Sequence, residues 1–209
     1  MLNKKRNKFS CLPAIIGTLF IIIGTSFIIF DIYEDKNVAK VEEQAIDTFY
    51  EKEMIIENSQ LETEKETVTK ETKQKNKLEY IGVLKIPKIK LERGLVSPNS
   101  YLNNVDYNIE ILDSSDMPDV INGNLILAAH SGNSRISYFK NLDKLKEGDK
   151  VVIDYKGKSY NYVIVNIYEI LRTGKAEIVR NVNINTLTLI TCKDKTNKQI
   201  VIICELENI

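Results

Sequence analysis

The hydrophobic and polar positions divide the chain into three regions with different patterns. Residues 12–30 form an unbroken run without a charged side chain, LPAIIGTLFIIIGTSFIIF. Residues 31–79 are dominated by charged side chains and contain neither glycine nor proline. From Tyr80 onward, short apolar runs alternate with turn residues. The pattern therefore predicts a basic tail (1–11), a transmembrane anchor (12–30), a charged spacer (31–79) and a folded domain (80–209).

The apolar run is long enough to cross a bilayer. Its 19 residues, as a helix, would extend about 28 Å. No small-residue cleavage site follows it, which favours an uncleaved anchor over a signal peptide. The basic residues that precede it are Lys4, Lys5, Arg6 and Lys8, and the acidic residues that follow it are Asp31, Glu34 and Asp35. Positive charge stays inside, so we expect a single-pass plasma-membrane protein with a cytoplasmic N-terminus and an extracellular domain.

The spacer has two parts with different patterns. Val38, Val41, Ala45 and Phe49 recur at intervals of three and four, which predicts an amphipathic helix just outside the membrane. Beyond Asn58 the chain is almost wholly polar and cannot bury a core. We interpret that part as a solvated helix or a disordered stalk that holds the domain off the membrane.

The folded domain reads as a succession of short strands. Period-two alternation or apolar runs bounded by turn residues predict strands at 80–86, 89–96, 124–129, 149–155, 159–171, 186–191 and 199–206. Short helical pieces are predicted at 137–145, with a turn at 101–105. Many short strands at close spacing predict a mainly β domain, either an antiparallel sandwich or a closed barrel.

Composition narrows the function classes. Lys and Arg number 29, as do Asp and Glu, and this balance argues against a nucleic-acid binder. Three cysteines without paired spacing and one histidine exclude a disulfide scaffold and a zinc site, and we expect no metal and no cofactor. The clustered Asp113, Asp116 and Asp119 lack the spacing and glycine of a calcium loop and are interpreted as a solvated turn.

Two residues stand where reactive side chains are often held. Cys192 ends the predicted strand TLTLITC, and His130 ends the apolar run NLILAAH. A thiol needs a neighbouring base to attack a carbonyl, since only the thiolate is a good nucleophile. If the two strands are neighbours of matching polarity, both side chains emerge at the same rim. The alternatives are a small buried cysteine and a structural histidine.

The motifs resemble those of one family. TLITC at 188–192 resembles the TLxTC motif of sortases, the surface transpeptidases of Gram-positive bacteria, and His130 lies upstream in a similar strand–His–loop segment. YFKNLDKLKEGDKV at 138–151 and IGVLKIPKI at 81–89 are also similar to family segments. The resemblance covers about residues 80–206.

This resemblance implies an eight-stranded closed β-barrel and a two-step acyl transfer. Cys192 would attack a backbone carbonyl in a C-terminal sorting motif of a surface protein, and His130 would protonate the leaving amine. A second amine, from a cell-wall precursor or a pilin lysine, would then resolve the thioacyl enzyme. By the same match, Thr191 would help to shape the substrate site.

The chain departs from the family pattern at the third catalytic position. The family places an arginine on its last strand, and no arginine follows Cys192 here. The matching position is Lys198, or Gln199 under a one-residue shift, and neither reproduces a guanidinium fork. Three explanations stay open: one of these two residues substitutes, the enzyme is weak, or another arginine folds into the site, the candidates being Arg135, Arg172 and Arg180.

Two functions compete with the transpeptidase. One is a degenerate sortase-like domain that binds a peptide without catalysis, and the other is a cysteine hydrolase that releases its acyl group to water.

The short connection between Leu171 and Thr186 leaves little room for the long helix of class B sortases, and three residues after Leu206 leave none for a second membrane span. Cys204 is expected in the core, although a regulatory disulfide with Cys192 stays open, and Cys11 is interpreted as a bystander.

Overall fold

The computed structural model describes residues 12–59 and 78–207. Cys11 and the polar part of the spacer beyond residue 59 lie outside the described residues. Helix α1 comprises Leu12–Ser59, and short 3-10 helices lie at Pro87–Ile89 and Leu142–Lys144. The eight strands are β1 (Tyr80–Ile86), β2 (Leu91–Val96), β3 (Glu110–Ile111), β4 (Asn124–Ala128), β5 (Lys150–Tyr155), β6 (Lys158–Leu171), β7 (Thr186–Cys192) and β8 (Lys198–Leu206).

The first part of α1 is apolar and exposed. Among the described residues, α1 is the helix that is long and apolar enough to cross a membrane, and none of its most apolar stretch is buried. The chain divides into two compact units, one that ends at Val41 and one that begins at Glu42 and includes the barrel. The break therefore falls within α1, between its apolar part and the part that packs in the second unit.

The strands form one sheet that curves into a nearly closed barrel. Their order is β2-β1-β5-β6-β8-β7-β4-β3, which leaves β2 and β3 at the two edges. Asn108, just before β3, donates its Nδ2 proton to the Gly94 carbonyl of β2 at 3.0 Å and so joins the edges. The mainly β fold and its barrel architecture are therefore confirmed.

Most strand bounds agree with the sequence pattern. The gap between the predicted strands 149–155 and 159–171 contains the hairpin turn between β5 and β6, where Lys156 and Gly157 both have positive φ, 49° and 70°. Strand β3 was not predicted, because two residues are too few to show a period. The helical piece predicted at 137–145 is shorter in the structure, a series of turns that ends in the 3-10 helix Leu142–Lys144.

The barrel interior is filled by alternate residues of each strand. Leu84, Leu127, Ile153, Leu189 and Ile202 are fully buried members of this core. Inward and outward residues alternate along each strand. The positions of the core residues therefore also determine which residues at the strand ends point away from the barrel interior.

A second, smaller cluster joins α1 to the barrel. Phe49 is 5% exposed and packs with Tyr80, Val83 and Val96 of β1 and β2. Ala45, Ile46 and Tyr50 border the same cluster, and their spacing places them on one face of the helix. The part of α1 that the sequence pattern assigns to the spacer thus packs against the barrel.

Candidate active site

The two candidate catalytic residues end neighbouring strands. β4 and β7 are parallel, with Asn124 paired to Thr186 and Ala128 paired to Ile190, an offset of 62 residues at both ends (186 − 124 and 190 − 128). His130 and Cys192 differ by the same 62 residues (192 − 130), so the continued register places them level. Neighbouring strands lie about 5 Å apart, which brings the two backbones side by side at one rim.

Both residues belong to the outer face of the barrel wall. Leu125, Leu127 and Ala129 of the β4 segment are in the core, and so are Leu187 and Leu189 of β7. His130 and Cys192 alternate with these residues and therefore point the other way. The structure brings them together on the same face, and Cys192 is half-buried.

Hydrogen bonds hold the two strand ends together. The Ala129 amide donates to the Ile190 carbonyl at 3.3 Å, which continues the parallel ladder past β4. The Thr191 hydroxyl, itself buried, donates to the Ala129 carbonyl at 2.8 Å. Thr191 therefore ties the residue before Cys192 to the residue before His130.

His130 has two further contacts that fix its position. Its Nε2 lies 3.2 Å from Oδ1 of Asp106, and its carbonyl accepts a hydrogen bond from the Phe139 amide at 3.0 Å. The imidazole is 42% exposed and the Asp106 carboxylate 71% exposed, so solvent weakens the attraction between them. The contact with the Asp106 carboxylate orients the ring through Nε2.

Sequence reasoning missed Asp106. It lies in a polar turn in which Asn104 accepts three backbone hydrogen bonds. The Asp106 amide donates to its side chain at 2.9 Å, and the Tyr107 and Asn108 amides donate to its carbonyl at 2.9 and 2.8 Å. Such asparagine-capped turns are recognisable in the string NNVDYN, but nothing in that string indicates a contact with a histidine 24 residues later.

The structure distinguishes the two candidates for the family's arginine position. Gln199 of β8 is paired directly with Cys192, so the two side chains share a face. Lys198 is the next residue along and points to the other face, where its Nζ lies 3.0 Å from a carboxylate oxygen of Glu169. Gln199 is therefore the residue beside the thiol.

The other arginines named from the sequence lie in different places. Arg180 donates to the Asn122 carbonyl at 3.1 Å, beside the start of β4 and thus at the opposite end of that strand from His130. The Arg172 amide donates to the Asn197 carbonyl at 3.1 Å, next to Lys198. Arg135 is an exposed residue of the loop that follows His130.

A small cavity opens beside Cys192. It has a volume of about 230 Å³. Residues 131–133, Thr191 and Lys193 contribute to its wall, and Asp143 and Asp194 supply carboxylates. The cavity is on the side of Cys192 that faces the loop after His130.

Cys204 is far from this site. It is fully buried in the core, as expected, and burial raises the pKa of its thiol. On β8 it is five residues from Gln199, the partner of Cys192, which corresponds to about 16 Å along the strand. A disulfide needs Cα atoms within about 7 Å, so the fold excludes a Cys192–Cys204 bridge.

No metal site is evident in the part of the chain that the structure describes. Residues 12–59 and 78–207 contain no group of three or more potential His, Cys, Asp or Glu ligands. Asp116 and Asp119 have other partners: Asp116 accepts from the Asn124 amide at 3.3 Å, and Asp119 lies 2.8 Å from the Lys156 ammonium.

Comparison with known proteins identifies the family of the chain. Residues 84–207, more than half of the chain, match the model of the sortase domain. The chain is 26% identical over 129 residues to sortase A of Bacillus anthracis, a match that spans 60% of either sequence. The match to the sortase domain shows that the chain belongs to the sortase family.

Solved structures show the same fold. A sortase D5 transpeptidase of Clostridium perfringens superposes with a TM-score of 0.59 at 24% identity, over 81% of this chain and 99% of the other. Sortase A of Corynebacterium diphtheriae, as a lid mutant, gives a TM-score of 0.55 at 20% identity over 62% and 70%. At such identities the likeness concerns the barrel.

Proposed function

We propose that the chain is a membrane-anchored cysteine transpeptidase in which Cys192 is the nucleophile and His130 the acid–base partner. The observation that carries this proposal is the shared offset of 62 residues, which keeps the two side chains level on one face of β4 and β7. A thiol and an imidazole at one rim, one half-buried and the other held by Asp106, supply the two groups that acyl transfer requires.

In the first step, the Cys192 thiol gives its proton to His130, and its sulfur bonds to a backbone carbonyl carbon in the sorting motif of a surface protein. The carbon–nitrogen bond then breaks, and the leaving amine takes a proton from His130. The acyl group stays on sulfur as a thioester. Gln199, paired with Cys192, is positioned to donate its amide proton to the carbonyl oxygen as negative charge develops there.

In the second step, an amine attacks the thioester and gives its proton to His130, and the carbon–sulfur bond breaks. His130 then passes the proton to the Cys192 sulfur, which restores the free thiol. The acceptor is an amine of a cell-wall precursor or the lysine of a pilin. Thr191 helps to shape the substrate site, because it contributes to the cavity wall beside Cys192 and its hydroxyl holds the residue before His130.

The test uses the full chain in detergent micelles, a library of sorting-motif peptides and an amine acceptor, with intact mass as the readout. We expect a thioacyl adduct that is lost in Cys192→Ala and kept in the matched variant Cys204→Ala, and that becomes an amine conjugate when acceptor is added. Peptide binding without an adduct in the wild type would favour the non-catalytic alternative, and hydrolysed product despite excess amine would favour the hydrolase.

We also propose that α1 anchors the enzyme with its N-terminus in the cytoplasm. The apolar exposed part of α1 and the charge asymmetry around it support this orientation. On intact cells, a membrane-impermeant maleimide should label Cys192 and leave Cys11 unlabelled until the membrane is permeabilised. Labelling of Cys11 alone on intact cells would reverse the orientation.

A further inference from the structure

Arg93 is a buried charged residue outside the pair that would do the chemistry. It lies within β2 and is 8% exposed. Burying a guanidinium is costly unless it is paired and hydrogen-bonded, and burial lowers the pKa of Arg93. The partners that offset this cost therefore indicate which parts of the fold Arg93 holds together.

Its three partners come from three separate segments. The Glu42 carboxylate of α1 forms an ion pair with the guanidinium, and Nε donates to Oδ1 of Asn108 at 2.8 Å. The guanidinium also lies over the Tyr138 ring, 4.2 Å from its centroid, at a distance typical of a cation–π contact. One side chain thus joins α1, the turn before β3 and the segment that follows His130.

The first route to His130 runs through Asn108. The Asn108 amide closes the turn on Asn104 at 2.8 Å, and Asp106 lies inside that turn. The Asp106 carboxylate then contacts Nε2 of His130 at 3.2 Å. A shift of Asn108 therefore moves the carboxylate that orients the imidazole.

The second route runs through Tyr138. Its hydroxyl donates to the Tyr107 carbonyl at 3.4 Å, and the next residue, Phe139, donates its amide to the His130 carbonyl at 3.0 Å. The segments before and after His130 are therefore joined to each other as well as to Arg93.

We propose that Arg93 is a positioning residue for His130, and that Glu42 of α1 holds Arg93 in place. The inference rests on the proposed role of His130 and adds that the helix leading to the anchor takes part in forming the active site. When Glu42 is in place, Arg93 fixes both the Asp106 carboxylate and the backbone of His130. When the ion pair is lost, the guanidinium moves toward solvent and the imidazole loses its orientation.

The experiment compares two charge-neutralising variants of α1 in the full chain. Glu42→Gln removes the ion pair to Arg93, and Lys52→Gln removes an ion pair of the same helix to Glu79, 2.5 Å long, between two exposed side chains. Because the chain has one histidine, the ring nitrogen resonances of His130 can be followed without assignment ambiguity. Transfer kinetics give kcat and KM for the same samples.

We expect Glu42→Gln to shift the His130 ring resonances and to lower kcat about tenfold with KM for the peptide nearly unchanged. Asp106→Asn should move the same resonances, while Lys52→Gln should alter neither readout. Unmoved resonances in Glu42→Gln, or equal shifts in Lys52→Gln, would overturn the inference. A wild type without transfer activity would defeat the proposed function, yet the resonances would still decide the role of Arg93.

Discussion

Cys192 and Gln199 lie directly opposite each other as the last pair of the β7–β8 ladder. The side chain beside the thiol is therefore a neutral amide rather than a cation. An amide can donate a hydrogen bond to a developing oxyanion, although it lacks the charge and the two-pronged geometry of a guanidinium. The absence of an arginine after Cys192 thus leaves a donor in place.

Replacing this donor should slow thioester formation. Loss of one oxyanion donor costs on the order of 10²-fold in rate, so we expect a decrease of that size for Gln199→Ala. Lys198→Ala, the matched control on the other face, should stay close to the wild-type rate. The measurement is the rate of thioacyl adduct formation, and an equal loss in both variants would contradict the assignment.

The two described cysteines should differ sharply in reactivity. Cys192 is half-buried at the rim, whereas Cys204 is fully buried with a raised pKa. We expect iodoacetamide to modify Cys192 in the folded chain and Cys204 only after denaturation. Peptide mapping of the labelled sites checks this, and a Cys192–Cys204 cross-linked peptide after mild oxidation would contradict the fold.

The packing of α1 should contribute measurably to stability. Phe49 is 5% exposed in the cluster with Tyr80, Val83 and Val96, so Phe49→Ala should lower the free energy of unfolding by about 3 kcal/mol. The control is Val41→Ala, since Val41 is an exposed apolar residue of the same helix. Denaturant unfolding followed by circular dichroism provides the values, and similar losses in the two variants would argue against packing of α1.

The contact between Tyr50 of α1 and Asp154 of β5 should make the free energy of unfolding depend on pH in the acid range. Asp154 accepts hydrogen bonds from Tyr50 at 2.6 Å and Lys85 at 2.7 Å. Burial raises the pKa of Asp154, but the bonds from Lys85, Ser159 and Tyr50 outweigh burial and leave its pKa lowered. A lowered folded-state pKa adds stability above the ordinary aspartate range near pH 4, and that stability is lost as the pH falls through the folded value.

A loss of stability is also expected at alkaline pH. Burial and the hydrogen bond to Asp154 raise the pKa of Tyr50 to about 12. The neutral phenol is therefore favoured in the folded state. Its contribution to stability is complete below about pH 10 and is lost as the pH rises from there through about 12. Melting temperatures measured across pH should fall on both sides, and Asp154→Asn should flatten the acid side while the exposed control Asp47→Asn keeps it.

Local patterns sufficed for most of the barrel, whereas the choice of the two rim residues also needed the resemblance to the sortase motif. Period-two alternation between turn residues defines strands such as β1 and β6, because inward and outward positions differ along them. The end of an apolar strand also marked Cys192 and His130. That β4 and β7 are parallel neighbours depends on pairing between distant segments, which no local pattern encodes.

The parts that sequence reasoning left open are those decided by long-range contact. Lys198 and Gln199 could not be told apart, because β8 is apolar on both faces and a one-residue shift of register changes which side chain meets Cys192. Asp106 and Arg93 look like ordinary polar residues until the turn before β3 folds next to His130. Phe49 resembles part of an exposed amphipathic helix until its partners on β1 and β2 are known.

The parallel pairing of β4 and β7 determines where the chain can accept insertions. The segments between His130 and Thr186 leave the barrel at the rim and re-enter it at the opposite end of β7, and their length does not enter the register of the two strands. Extra residues at the Lys156–Gly157 turn or after Leu171 would leave the thiol level with the imidazole. One residue deleted within β7 would instead turn the thiol into the barrel interior. An engineer could therefore graft a recognition loop into those connections while the chemistry at the rim stays the same.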